Sequence, residues 1–307
     1  MSGAASSIPT VAPDRGARGR VAGGGGSPIV FDAFQVASAL LLMALVVHPP
    51  PGMHPAGRLV AALGLVMPPL ARRFTSYWLL LLLLYLTSPL DRAWFAPDNH
   101  EFLQLYWLLA LFISRFATNP IRALKVAARW LIALVFVFAT LWKVLAPDFL
   151  DGATFEFLFA VEPRLADVAV MTGIQRPVDA GNRAAIEAWR EPGSAPEPAR
   201  LEVSETVRRI SPPLSAATLL VEGAVAVAFL APMSRRRAWL RDAALLTFIV
   251  VTYPLTPVLP FAWVLLSLGA MQSTLSARLR NRLYVGVFAT VTVLFVVRGL
   301  AMELLAV

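Results

Sequence analysis

The sequence predicts an all-α fold: a polytopic transmembrane helical bundle of eight to nine spans, with a small helical segment on its outer face. Three observations predict it. The 307 residues are 58% hydrophobic and only 15% charged, whereas soluble domains carry about 25% charged residues. Several apolar runs approach the roughly 20 residues that a helix needs to cross a bilayer. The arginines fall in short clusters between those runs, which is the pattern that sets membrane topology. The net charge of +8 therefore points to a lipid bilayer as partner and not to nucleic acid. With no cysteine in the chain, disulfides, thiol nucleophiles and Cys-ligated zinc or iron–sulfur clusters are excluded.

Residues 1–29 contain Arg15, Arg18, Arg20 and the run Gly23 to Gly26. They hold too few apolar side chains to pack and read as a disordered cytoplasmic tail. A cleavable signal peptide is not expected, because the first apolar run leads into His48-Pro-Pro-Pro51 with no small-residue cleavage site. Residues 30–146 carry spans 1–5, with apolar runs near 30–48, 57–71, 75–90, 102–117 and 126–146. Residues 214–307 carry spans 6–9, with runs near 214–232, 242–256, 258–275 and 283–303. Pro257 and Pro260 soften the boundary between the seventh and eighth, so eight spans is the alternative to nine.

With nine spans, alternate connections collect the positive charge. One side receives the N-terminal arginines, Arg72-Arg73, the group Arg115, Arg122, Lys125 and Arg129, then Arg235 to Arg237 with Arg241, and Arg278, Arg280 and Arg282. By the positive-inside rule that side is the cytoplasm, and the protein sits in the plasma membrane with its N-terminus inside. The opposite side receives 49–56, 91–101, the long segment 147–213 and the C-terminus. That segment has 11 acidic and seven basic residues, and is too long for a plain loop. Within it, 153–160 is apolar but too short to span. Residues 182–190 and 201–210 pattern as helices, separated by the linker Pro192 to Pro198.

The chain contains 25 arginines but only two lysines, Lys125 and Lys143. Lys125 lies among arginines. Lys143 ends the apolar run Trp130 to Trp142 and precedes Ala146-Pro147-Asp148. Arginine stays charged in proteins, whereas a desolvated lysine can become a neutral base. One reading of Lys143 is a lysine snorkelling at a helix end. The other is a base in an outward-facing pocket, its pKa lowered by apolar neighbours such as Trp142.

His100, in Asp98-Asn-His-Glu-Phe102, falls on the same side of the membrane at the start of the fourth span. It reads either as an interfacial histidine or as a proton-transfer group. Glu222 lies about nine residues into the sixth span, too deep for a short side chain to snorkel. It is either a pocket residue or the structural partner of Arg298 or Lys143. Arg298 and Glu303 read as interfacial. His48 and His54 flank Pro49 to Pro51 and do not make up a metal-ligand set, so no metal is predicted.

Two of these stretches resemble a known family. Asn99-His100 followed by an apolar helix resembles the Asn-His motif of vitamin K-dependent γ-carboxylase and its bacterial relatives, the HTTM (horizontally transferred transmembrane domain) proteins. The run Phe138-Ala-Thr-Leu-Trp-Lys143 followed by Pro147-Asp-Phe-Leu-Asp-Gly152 is similar to the family's aromatic-Ala-Gly-x-x-Lys and Pro-Asp-Trp-x-x-Gly runs. Here Thr140 stands in place of the usual glycine, and one extra residue precedes Pro147. Glu222 in an apolar helix is a third, looser match.

The resemblance implies that Lys143 is the base that deprotonates a reduced, vitamin K-like quinone, and that His100 is the second catalytic group. Asn99, Trp142 and Glu222 would then line the cofactor site. The implied function is quinol-dependent, carboxylase-like modification of a small or peptide substrate on the outer face, with a secreted peptide or protein as partner. The alternative is a non-catalytic membrane maturation or export factor, or a lipid-binding subunit.

Overall fold

The computed structural model describes residues 31–90, 98–190, 201–234, 236–254, 256 and 258–306. The expected tail 1–29, the linker 192–198, Arg235 and the side chain of Glu303 lie outside the described residues. The described chain is helical with no strand. In order, the helices are α1 (Ala33–Val47), α2 (Pro55–Val66), α3 (Pro68–Arg73), α4 (Thr75–Leu90), α5 (Asn99–Ile113), α6 (Pro120–Leu145) and α7 (Pro147–Leu150). There follow α8 (Ala153–Val161), α9 (Ala166–Met171), α10 (Arg176–Arg190), α11 (Glu205–Leu230), α12 (Trp239–Thr252), α13 (Leu259–Gln272) and α14 (Ala277–Ala306).

Three helices among the described residues are long and apolar enough to cross a membrane: Pro120–Leu145, Glu205–Leu230 and Ala277–Leu300. This corrects the expected count of eight to nine spans. Four other apolar runs fold as shorter helices, Ala33–Val47, Pro55–Val66, Thr75–Ser88 and Leu259–Gln272. At about 1.5 Å per residue, even the 15 residues of α1 reach only about 22 Å, short of a hydrocarbon layer of about 30 Å. The breaks have local causes. The run 57–71 is cut at Met67, because Pro68 cannot continue the hydrogen bonds of α2 and instead starts α3. The run 102–117 ends in a 3-10 turn at Ser114–Phe116.

The bundle is organised around α13. Every residue from Ala262 to Gln272 is buried, as expected of a helix apolar on all sides. It packs against α1, α5, α6 and α14. One serine fixes three of these helices together. Ser267 Oγ donates to the Ala37 carbonyl of α1 at 2.6 Å and accepts from Trp107 Nε1 of α5 at 2.9 Å. Ser267→Ala should therefore cost about 1–3 kcal/mol, because it strands a fully buried indole N–H. Thermal unfolding in detergent measures this, and Trp107→Phe on top of Ser267→Ala should recover part of the loss.

Among the described residues, Arg72, Arg115, Arg129, Arg241 and Arg280 lie at one end of the bundle. Arg72 pairs with Asp32 at 3.0 Å, and Arg115 Nη2 donates to the Arg72 carbonyl. Arg280 donates to the Phe31 carbonyl. Arg129 and Arg241 cover the last carbonyls of α11, from Ala228 to Ala231. These carbonyls have no intrahelical donor, and the guanidinium charge suits the negative end of the helix dipole.

Segment 147–213 builds a second hydrophobic cluster, separate from the bundle core. Phe149, Phe155, Phe159, Leu165, Ala169, Ile174 and Val207 form it. Its base is α11, which runs unbroken from this cap into the bundle through Pro212 and Pro213. The sequence places a boundary there, at 213/214. Both prolines are exposed, so the carbonyls that lose their amide partners are not sealed in the core.

Candidate functional site

Lys143 and Glu222 are brought together by the buried stripes of two long helices. On α6 the residues Leu124, Ala128, Ile132 and Phe136 recur every fourth position on the buried face, and Lys143 extends that stripe by two turns. On α11, Val207, Ser211, Ser215, Glu222, Val225 and Phe229 are buried at spacings of four, seven and three. The two stripes meet, and α6 and α11 form one of the most extensive helix pairs in the protein. Near the charges the backbones come close: a Cβ added at Gly223 would lie 3.9 Å from Thr140 Cγ2.

The ammonium of Lys143 reaches both carboxylate oxygens of Glu222, at 2.8 and 2.6 Å. The Lys143 side chain is 23% exposed and that of Glu222 11%. Of the alternatives the sequence leaves open for Glu222, the partner it contacts is Lys143. Arg298 is engaged elsewhere. Its guanidinium pairs with Asp167 at 3.2 Å and donates to the Arg164 and Pro254 carbonyls. It thus ties α14 to the cap and to the α12–α13 turn. Asp167 and Arg164 carry no sequence signal, because their partner is 131 or more positions away.

The run Pro147 to Gly152 closes over the pair. Ala146 is extended and ends α6, and Pro147 opens the single turn of α7. The Phe149 ring then stands 5.5 Å from Lys143 Nζ, within cation–π range. Gly152 has φ +94°, and a Cβ there would lie 2.7 Å from Pro212 N and 2.9 Å from Ser211 C. The glycine therefore lets this turn lie directly on the backbone of α11. Trp142 points the other way and is 76% exposed. The expected shielding of the amine by Trp142 is thus replaced by Phe149 and a carboxylate.

Two hydroxyls on the same helix pair, Thr140 Oγ1 and Ser215 Oγ, are buried without a hydrogen-bond partner. Tyr253, 4% exposed, lies within electrostatic reach of Glu222.

His100 occupies a different place. It sits in the first turn of α5, where Asp98 and Glu101 form a reciprocal capping box. Its Nδ1 lies 3.9 Å from Asp98 Oδ2, and its side chain is 14% exposed. Burial holds its imidazole below the ordinary value of 6.5; Asp98 and Glu101 oppose the shift, while Arg164 and His48 add to it. Asn99, beside it, is exposed. No hydrogen bond or ion pair joins His100 to Lys143 or Glu222. His48 stacks against Trp263 and Phe295.

The His100 shift fixes a direction for stability. The unfolded chain takes up a proton as pH falls through 6.5, before the folded protein does, so this group's contribution is complete above 6.5 and declines below it. The melting temperature of His100→Gln should fall less between pH 7 and pH 5 than that of the wild type. Parallel curves would show that His100 titrates freely.

A buried acid that sequence reasoning passed over lies at the basic end. Asp242, 2% exposed, accepts from Tyr284 Oη at 2.6 Å and Gln272 Nε2 at 3.3 Å. It opens α12, where an acidic residue in the first turn reads as an ordinary dipole partner. Its burial follows from packing against α13 and α14, which the local sequence does not show.

The fold and the site define the class as a helical protein with three helices able to cross a membrane, two of them joined by a lysine–glutamate pair. No family model, no curated protein and no solved structure matches the chain.

Proposed function

We propose that the protein is a multi-pass membrane protein of the HTTM, γ-carboxylase-like type, in which Lys143 and Glu222 act together on a proton of a lipophilic substrate. The observation that carries this reading is the two-oxygen contact between Lys143 and Glu222 beneath Phe149. A charged pair of this kind can accept one proton. When a substrate hydroxyl approaches, its O–H bond breaks and the proton ends on the Glu222 carboxylate, relayed through Lys143. The substrate oxyanion is left beside the ammonium, which stabilises it.

A reduced quinone-type lipid fits this description, since it carries acidic hydroxyls and reaches the seam from the bilayer. His100, held neutral by burial, is the second group implied by the resemblance. On this reading the site lies on the outer face of the plasma membrane with the N-terminus in the cytoplasm; the positive-inside rule applied to the arginine clusters of the sequence supports that orientation.

Proteoliposomes holding the protein and a reduced quinone-type lipid in air test this reading. The wild type should consume quinol faster than empty vesicles, and Lys143→Arg, which keeps the charge but not the transferable proton, should be at least tenfold slower. Full activity of Lys143→Arg would overturn the proposal.

A second reading has its own support. All the oxygen capacity of Glu222 facing Lys143 is taken by the ammonium, and the 147–213 cap is a packed module of its own. That suits a non-catalytic maturation or export factor, or a lipid-binding subunit, which meets a secreted peptide through the cap. It predicts that Lys143→Arg behaves as wild type, while substitutions on the cap surface disrupt function.

A further inference from the structure

The basic end of the bundle holds two neighbouring hollows around the first turns of α6. One, of about 220 Å³, is lined by Asp32, Phe34, Arg72, Arg115, Pro120 and Ile121. The other, of about 490 Å³, is a shallower groove along Asn119, Arg122, Ala123, Val126 and Ala127. Their charges do not balance. Arg72, Arg115 and Arg122 bring three positive charges against the single carboxylate of Asp32, which already pairs with Arg72.

Below the charges the surface is apolar. Helical spacing puts Arg122, Val126 and Trp130 on one face of α6, and Val126 and Trp130 are each 49% exposed. The groove thus begins at the Arg122 guanidinium, next to the hollow that holds Arg72 and Arg115, and reaches bare Val126 one turn along; Trp130 is exposed a further turn along the same face of a helix able to cross a membrane. That is the shape of a headgroup joined to a chain, with an indole where such rings prefer to lie.

We propose that these hollows bind an anionic glycerophospholipid. Its phosphodiester sits among Arg115, Arg122 and the Arg72–Asp32 pair, and an acyl chain lies over Val126 and Trp130. The surplus of positive charge selects an anionic headgroup over a zwitterionic one. The apolar groove selects a lipid over free phosphate. The proposal rests on the chain spanning a membrane, and is independent of the acid–base reading of Lys143.

The test reconstitutes the full chain in vesicles containing equal amounts of phosphatidylglycerol and phosphatidylcholine, extracts it in detergent, and counts retained lipid by native mass spectrometry. Retention of phosphatidylglycerol should exceed that of phosphatidylcholine at least fivefold. Arg115→Gln with Arg122→Gln should abolish the preference, with helix content by circular dichroism unchanged. Arg209→Gln, which alters an exposed arginine on the cap, should leave it intact. Equal retention of the two lipids by the wild type overturns the proposal whatever the variants do. Loss of the preference in Arg209→Gln overturns it too, since the effect is then one of overall charge. Displacement by millimolar inorganic phosphate shows an anion site without a lipid and also overturns it. Quinol turnover, measured in the same vesicles, reports separately on the Lys143 proposal.

Discussion

Glu222→Ala should destabilise the protein by roughly 2–4 kcal/mol, because it leaves the Lys143 ammonium against the α6–α11 seam without its carboxylate. Removing one partner of a buried pair costs about 3–5 kcal/mol. The expected loss lies toward the lower end, because the Lys143 side chain is still 23% exposed and can turn partly to water. The complementary change, Lys143→Met, strands the less exposed Glu222 and should cost at least as much. The double variant Lys143→Met with Glu222→Leu should be more stable than either single one, since burying two apolar groups of similar size incurs no unpaired charge. Thermal unfolding of the wild type, Lys143→Met, Glu222→Leu and the double variant in one detergent closes this cycle. A coupling within about 0.5 kcal/mol of zero would mean that the two side chains act independently.

The second large effect is expected at Gly152. Its φ of +94° is strained for any side chain, at about 1–3 kcal/mol. An added Cβ also meets two backbone-linked atoms of α11, Pro212 N at 2.7 Å and Ser211 C at 2.9 Å. Backbone cannot rotate away as a flexible side chain can. Gly152→Ala should therefore lift the α7–α8 turn from α11, withdraw Phe149 from Lys143, and lower stability by about 3 kcal/mol or more. Limited proteolysis should cut the cap of this variant many times faster than that of the wild type. A control at Gly181, where a Cβ meets nothing within 4 Å, should behave as wild type. If Gly152→Ala resists protease as the wild type does, the docking account is wrong.

Much of this was legible in the chain, for identifiable reasons. The all-helical fold followed from apolar runs that outlast any strand, and α6 and the inner part of α11 could be read from length alone. Lys143 and Glu222 stood out singly because each is an expensive residue in an apolar stretch. Their pairing was one of two options, and the choice depended on how α6 rotates against α11, which only packing decides.

Other features were hidden. The division expected at 213/214 falls inside α11, which continues through Pro212 and Pro213, both of them exposed. Trp142 looked like a wall of the site because it adjoins Lys143 in sequence. On a helix, however, neighbours in sequence point about 100° apart. The link from Arg298 to Asp167 spans 131 positions, and no local pattern encodes it.

The continuity of α11 has a mechanical consequence. Ser211, against which the cap docks, and Glu222 belong to one rod, about 16 Å apart at 1.5 Å per residue. If the rod pivots at the Gly152 contact, a tilt of about 10° moves the carboxylate by about 3 Å, as far as a hydrogen bond is long. The cap and the ion pair are thus the handle and the tip of a single lever. Only a displacement of the cap that tilts this rod would change the separation of the two charges without touching either.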